Sequence, residues 1–513
     1  MWDRFRGEAS GWVWPGLIAL AGALICLPFT RSLYGLGDEG ILLHGAARMA
    51  RGQGLYRDFF ELHPPLGFLI VRWWTIFAGP SLLAARLLSV CALAGIAAFT
   101  ALACVRAGSG RWLAAGLTLA WLVMSQGVWT MVNHHWFTTL FAAVALWAIL
   151  KPVDAGRDAG RSPLAAGFAV GAAVMTTPPR GVLAGLAAAG ALLGGPGTIR
   201  RLALLGAGAA VVPLLCLAWV ASQGALAAAV QDLLVFPATQ YSGVQAVPWG
   251  DRGNIQNGLV PLVFPVALLL AVVVVWRQRG SLLADRRLCT TFLFAATGLV
   301  GCFPRPDAVH IAFAAPLALP LLAQCVQRLG EASPPLYRRV AVLLAAIACV
   351  PSLIAYGVVV GRSLPAPDVA SWGATFPLGI DGEAQLAAAL APLPGDAGVL
   401  YYPYMPLAPV LAGRVGVTSF DVYVPGYTTP AQYAQACREM MRGAQWVVVN
   451  VNWTDPRALK QVFPALRDGD PPEKQAFERA LHTGFPLVRR EGPFELRRRG
   501  PATSETLCEG ARR

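Results

Sequence analysis

Four carboxylates fall within one short stretch near the amino end of this 513-residue chain, Asp38 and Glu39 followed by Asp58 and Glu61, with His63 two residues further on. The stretch reads Gly37-Asp38-Glu39-Gly40, then a helical pattern to Arg51, then Tyr56-Arg57-Asp58-Phe59-Phe60-Glu61-Leu62-His63-Pro64-Pro65. A positioned carboxylate can take the proton of an acceptor hydroxyl as general base, and that is the chemistry this cluster offers. Structural readings stand beside it: Asp38 as the N-cap of a helix over 39–51, and Asp58 and Glu61 in a solvated turn. A second cluster, Phe303-Pro304-Arg305-Pro306-Asp307-Ala308-Val309-His310, places Arg305, Asp307 and His310 in a turn bounded by prolines. Arg305 and His310 could hold a phosphate there, with Asp307 in support; a histidine satisfied at an interface is the alternative. Asn133-His134-His135 is a polar turn that could serve a site. Arg180, after Pro178-Pro179, is the only charge in a long apolar stretch, which marks it as functional by default.

The elements that must position these residues are hydrophobic. The chain is 56% hydrophobic and only 13% charged, against about a quarter charged in soluble domains. Long uncharged runs alternate with short Arg-bearing loops. A spanning helix needs about 20 apolar residues, and eleven runs are read as spans, at about 11–30, 84–105, 112–132, 136–150, 162–178, 181–199, 202–221, 257–276, 288–304, 308–327 and 340–361. The first follows Arg4 and Arg6, lacks a small-residue cleavage site and reads as a retained anchor. The segment 64–82 carries Arg72 mid-run beside Trp73 and Trp74. A charge at mid-bilayer costs about 2.5–3.5 kcal/mol, so this segment reads as an amphipathic helix in the interface.

Charge bias sets the topology. With the amino terminus cytoplasmic, Arg106/Arg111, Lys151/Arg157/Arg161, Arg200/Arg201, Arg277/Arg279/Arg286/Arg287 and Arg328/Arg338/Arg339 all fall in cytoplasmic turns. Every candidate site residue then lies on the opposite face. Residues 1–361 form the membrane domain. Residues 362–513 read as an extracytoplasmic α/β domain with strands at Val399–Tyr402 and Trp446–Val451, helices at 381–391, 430–443, 455–467 and 472–482, and a closing hairpin around Gly492. Cys437 and Cys508 could pair if that domain is extracytoplasmic. The loop 222–256, with Tyr241, Trp249, Asp251 and Arg252, opens amphipathically and could cover a site or simply connect. The net charge of +13 does not indicate nucleic acid, because the arginines sit between apolar spans and not along one soluble face. Walker A, dinucleotide-turn, His-Glu-x-x-His and Cys-x-x-Cys patterns are absent from the sequence. Acidic residues could bind a divalent cation, but their spacing does not demand one.

The sequence resembles the GT-C superfamily of polyprenyl-phosphate-dependent glycosyltransferases, and within it the family 39-like branch of bacterial protein O-mannosyltransferases and aminoarabinose transferases. The resemblance rests on Asp38-Glu39 after the first span, Gly54-Leu55-Tyr56-Arg57-Asp58-Phe59, Pro64-Pro65-Leu66, Gly79, Arg86 and the 303–310 turn, with an echo in Phe494-Glu495-Leu496-Arg497-Arg498. It implies an α-helical polytopic membrane fold of about eleven spans with an external α/β domain, and inverting transfer from a polyprenyl-phosphate sugar. Asp38 would be the base or acceptor-orienting carboxylate, with Glu39 and Glu61 in support. Asp58, Glu61, His63, His134 and His135 would face acceptor or sugar, while Arg305, His310 and Arg180 would meet the lipid phosphate. The chain departs from the pattern at Gly40-Ile41, where such relatives carry a basic residue, and at His63, where they carry Lys. A polymerase or ligase of lipid-linked glycans, and a transporter or flippase of lipid-linked sugars, are the competing classes.

Overall fold

The computed structural model describes residues 2–30, 35–126, 129–151, 161–194, 197–251, 253–363, 383–466 and 469–511. Arg157, Arg252 and the start of the expected external domain at 364–382 lie outside the described residues. The chain packs as two compact units. One comprises Met1–Thr30, Arg86–Leu217 and Pro248–Leu364; the other comprises Arg31–Ala85, Ala218–Val247 and Pro365–Arg513.

The first unit is helical. Helices occur in all eleven apolar runs, but they differ in length. Leu82–Arg106, Thr198–Ser222, Val260–Arg277 and Pro335–Arg362 are each long and apolar enough to cross a membrane. The run expected as one span at 308–327 is instead a bent pair, Ala308–Leu317 and Leu319–Glu331, with 63° between its parts. Pro316 and Pro320 explain the break, since proline supplies no N–H to the helix ladder. Arg111–Ser125 has 15 residues, a rise of about 22 Å against a hydrocarbon core of about 30 Å. It ends seven residues before the apolar run does because the chain turns extended at Gln126. Small residues let these helices approach closely. A Cβ on Gly167 would lie 2.2 Å from the Leu205 carbonyl oxygen, and one on Gly208 would lie 2.4 Å from that of Leu164.

The second unit contains a four-stranded sheet in the order β1-β2-β4-β3, with β1 Val399–Tyr402, β2 Trp446–Asn450, β3 Leu487–Glu491 and β4 Phe494–Arg498. β1 and β2 run parallel, and the other pairs are antiparallel. Helices Pro430–Gly443 and Pro472–Gly484 supply Tyr433, Cys437, Met440, Phe477 and Leu481 to a core shared with Leu400, Val447 and Val449. Thr429 opens the first of them with a capping box to Gln432. Cys437 and Cys508 form a disulfide.

This unit does not begin at residue 362. It takes in the first loop and 218–247, because polar links tie those segments to the tail. The Leu407 N–H donates to the Leu36 carbonyl and the Phe60 N–H to that of Ser419, both at 2.9 Å. The helix Asp38–Ala50 packs on the short helix Leu407–Leu411. The 64–82 segment forms the helix Pro65–Ala78.

Candidate functional site

Two clusters of candidate residues emerge, one in each unit. In the second unit, Asp38 is the first residue of its helix and not its cap; Gly37 takes the cap position without a side-chain bond. The Asp38 carboxylate is instead held by Tyr404, whose hydroxyl donates to Oδ1. Its place at the helix start also puts it near the positive end of the helix dipole. Glycines on either side permit the approach. A Cβ on Gly37 would lie 2.6 Å from the Tyr404 ring, and one on Gly40 only 2.0 Å from the Leu407 nitrogen. The Gly40 contact leaves no room for any side chain. Tyr404 packs edge-on to Trp453, with ring centroids 5.3 Å apart. Nearby, the Gln245 amide donates to the Tyr427 hydroxyl at 2.8 Å, and Tyr427 reaches the Tyr241 hydroxyl at 3.3 Å. Glu39 is buried.

The other acids of the first loop are engaged elsewhere. Asp58 accepts from the Gly54 N–H at 2.6 Å and pairs with Arg57 at 2.7 Å, and both contacts hold its carboxyl below the ordinary range. It closes a turn, in agreement with the structural reading of that residue. Glu61 is buried beside His63 at 3.2 Å. Burial raises its carboxyl, and the histidine partly offsets that rise. The Glu61 N–H lies 3.4 Å from an oxygen of Asp232, a buried carboxyl that desolvation pushes up to about 7.

Sequence reasoning missed Tyr404, Asp232 and Asp421. Asp421 accepts from His44 Nδ1 at 2.8 Å and Arg48 Nη2 at 2.9 Å, and Arg48 also donates to the Thr418 carbonyl at 2.7 Å. The Gly416 N–H donates to His44 Nε2 at 3.1 Å, so His44 carries its proton on Nδ1 and is neutral. Burial lowers the His44 pKa in keeping with that state. Burial would raise Asp421, but the adjacent Arg48 and His44 outweigh it and hold the carboxyl low. The partners are 370 or more residues apart, so no local pattern could announce them.

In the first unit, Asp307 organises the 303–310 turn. Its carboxylate caps the following helix through the His310 N–H at 2.9 Å, accepts from His310 Nδ1 at 2.7 Å and pairs with Arg305 Nε at 2.9 Å. Burial opposes its ionisation, but these partners outweigh burial and hold the carboxyl low. Because that acceptor fixes the proton on Nδ1, neutral His310 keeps a lone pair on Nε2. His135 packs against His310 with ring centroids 5.2 Å apart and against His134 at 4.1 Å. Asn133 caps their helix by accepting from the His135 N–H at 2.8 Å. Arg180 donates through Nε to the Gly301 carbonyl at 3.0 Å and lies 5.9 Å from the centre of the Phe313 ring. Its Nη1 is buried without a hydrogen-bond partner among the described residues. Arg180 also borders a cavity of ≈ 20 Å³ with Thr138, Thr139, Thr297 and Phe313, room for about one water. The backbone of 250–251 joins this turn, with Gly250 N–H to Pro306 O at 2.8 Å and Ala308 N–H to Asp251 O at 2.9 Å. Among the described residues, no three His, Cys, Asp or Glu side chains gather as a metal ligand set would.

This architecture is that of the GT-C fold, a polytopic membrane fold, and the chain shares it with three kinds of solved structure. ArnT from Cupriavidus metallidurans bound to undecaprenyl phosphate is 15% identical with a TM-score of 0.56, over 97% of this chain and 99% of that one. The Archaeoglobus fulgidus oligosaccharyltransferase in complex with Zn and sulfate is 12% identical at 0.53, over 90% and 70%. The arabinofuranosyltransferase AftD from Mycobacteria is 15% identical at 0.50, over 96% of this chain and 40% of that one. No family model matches the sequence, and no curated protein matches it.

Proposed function

We propose that this chain is a membrane glycosyltransferase that moves a sugar from a polyprenyl-phosphate donor to an acceptor hydroxyl on the extracytoplasmic face, with inversion and with Asp38 as base. The observation that carries the reading is the Asp38 carboxylate, the first residue of a helix, fixed by the Tyr404 hydroxyl and flanked by glycines that admit no side chain. The GT-C fold supports it, and so does the undecaprenyl phosphate bound to the ArnT neighbour. In the reaction, Asp38 takes the acceptor hydroxyl proton while the acceptor oxygen attacks the anomeric carbon. The carbon–oxygen bond to phosphate breaks, and its electron pair leaves with the lipid phosphate. Inversion follows from a single displacement at that carbon.

The departing phosphate needs cationic donors. Arg305 and Arg180, with His310, are assigned to it. Asp307 offsets one of the two guanidinium charges, so with neutral His310 the cluster keeps one net positive charge. Asp58 is assigned to turn closure, whereas Glu61, His63, His134 and His135 remain assigned to sugar or acceptor. The proposed topology has eleven crossings, a cytoplasmic amino terminus and a periplasmic tail in a cell inner membrane. The Cys437–Cys508 disulfide supports an external tail, since such bonds persist in oxidising compartments.

The test is Asp38→Asn in purified protein given polyprenyl-phosphate sugars and candidate acceptors. Transfer is expected to fall by about 10²–10⁴-fold, the range for loss of a general base, with thermal unfolding unchanged. Undiminished transfer removes Asp38 from this role.

A further inference from the structure

We propose that the second unit holds a site for an anionic phospholipid of the surrounding bilayer, with Arg72 as ligand of its phosphate. The site is a groove of ≈ 300 Å³ bordered by Gln53, Arg72, Trp73, Ile76, Trp219 and Gln223. That volume lies at the lower limit of small-molecule sites. It takes a phosphoglycerol head but not two acyl chains.

The walls indicate where the groove sits. The helix Pro65–Ala78 buries Phe68, Leu69 and Val71 and exposes Trp73 at 53%, Ile76 at 59% and Phe77 at 87%. Large side chains exposed together on a helix suit the boundary between headgroups and acyl chains. Trp219, in the last turn of the 25-residue helix Thr198–Ser222, supplies the second indole, and tryptophan concentrates at that same depth. The acyl chains of a lipid seated here would continue along Trp73, Ile76 and Phe77.

The polar lining indicates the head. Among the described residues, Arg72 forms no ion pair with a carboxylate, and no acidic side chain borders the groove. The nearby Asp58 is taken by Arg57. The Gln53 carbonyl accepts from Arg48 at 3.2 Å, which leaves its amide hydrogens to donate. A guanidinium with an amide donor beside it complements phosphate oxygens, and the uncompensated charge favours a lipid with net negative charge. None of the proposed reacting groups borders the groove, so the inference stands apart from the proposed transfer reaction.

The test uses full-length protein in nanodiscs of phosphatidylcholine mixed with phosphatidylglycerol, followed by native mass spectrometry of the retained lipid. Wild type is expected to retain phosphatidylglycerol in preference to phosphatidylcholine. Arg72→Gln should lower that preference about tenfold, the weight of one charge-assisted hydrogen bond. Gln223→Glu, which adds a repelling charge to the groove wall, should lower it independently. Unchanged thermal unfolding of either variant excludes a folding defect as the cause. Wild-type retention in both variants overturns the proposal. So does displacement of the retained phosphatidylglycerol by equimolar undecaprenyl phosphate, which would assign the groove to a polyprenyl donor.

Discussion

Replacing Gly40 with alanine separates packing from helix propensity at the candidate base. Alanine favours a helix over glycine by about 1 kcal/mol, so propensity alone makes Gly40→Ala stabilising. The structure gives the opposite sign. The new Cβ would lie 2.0 Å from the Leu407 nitrogen and 2.3 Å from the Pro406 carbonyl carbon. Those are backbone atoms of the chain that carries Tyr404, and no rotamer change relieves them. Reaching ordinary contact near 3.4 Å requires the helix and the 406–407 backbone to part by about 1.4 Å. Overpacking of this kind costs about 1–3 kcal/mol, which outweighs the propensity gain in most of that range. The same displacement separates Asp38 from Tyr404, and a misplacement of about 1 Å at a catalytic group can cost about 10²-fold in rate. Thermal unfolding and initial transfer rates on a polyprenyl-phosphate sugar read the two effects. Gly116→Ala is the control, since a Cβ there meets nothing within 4 Å; it should be neutral or stabilising and fully active. A Gly40→Ala protein that is stabilised by about 1 kcal/mol and transfers at the wild-type rate refutes the close contact and, with it, the placement of Asp38.

Three further perturbations follow from the same geometry. Tyr404→Phe removes the donor to Asp38 and should slow transfer about 10- to 100-fold, the effect of one hydrogen bond to a charged group, while circular dichroism stays native. Asp421→Ala leaves Arg48 buried without its carboxylate and should cost about 3–5 kcal/mol in a denaturant titration. Because Arg48 and His44 hold Asp421 low, its stabilisation is present above the ordinary carboxylate range, and wild type should lose it as the pH falls below about 4. Asp232 has the reverse sign: with its carboxyl raised to about 7, the folded state binds a proton that the unfolded chain releases. Its contribution is complete below the ordinary carboxylate value and is lost as pH rises through about 7. Asp232→Asn should therefore flatten the melting temperature between pH 5 and 8 and raise it at pH 8; an unchanged pH profile would assign that slope to other groups.

What the sequence disclosed and what it concealed differ in range. The strands Val399–Tyr402 and Trp446–Asn450, the hairpin around Gly492 and the helices starting at Pro430 and Pro472 are legible because local signals fix them: β-branched and aromatic runs, turn residues, and Thr or Asp near the helix starts. The Asp307 cluster is equally local, its three members spanning six residues. Span lengths were less legible, because an apolar run does not show where Gln126 ends a helix or where Pro316 and Pro320 bend one. The partners of the first loop left no local trace. Tyr404 and Asp421 follow Asp38 and His44 by more than 360 residues. At Gly40, one of the two residues of the Gly40-Ile41 departure, a Cβ would meet the Leu407 backbone, a contact that only the fold discloses.

The partners also divide the carboxylates into two groups, and that division bears on which one can act as base. Asp58, Asp307 and Asp421 each meet a guanidinium at 2.7–2.9 Å. A neighbouring positive charge of this kind favours the ionised form and makes a carboxylate a poor proton acceptor. These three close a turn, cap a helix and anchor a buried arginine. Asp38, Glu61 and Asp232 are held by a tyrosine hydroxyl, a histidine and a backbone N–H. Partners of this kind orient a carboxylate without placing a guanidinium against it. Of these three, Glu61 and Asp232 are buried, while the Asp38–Tyr404 bond lies exposed. A hydroxyl substrate needs an acid that is oriented, accessible and not neutralised by arginine. Asp38 combines these properties.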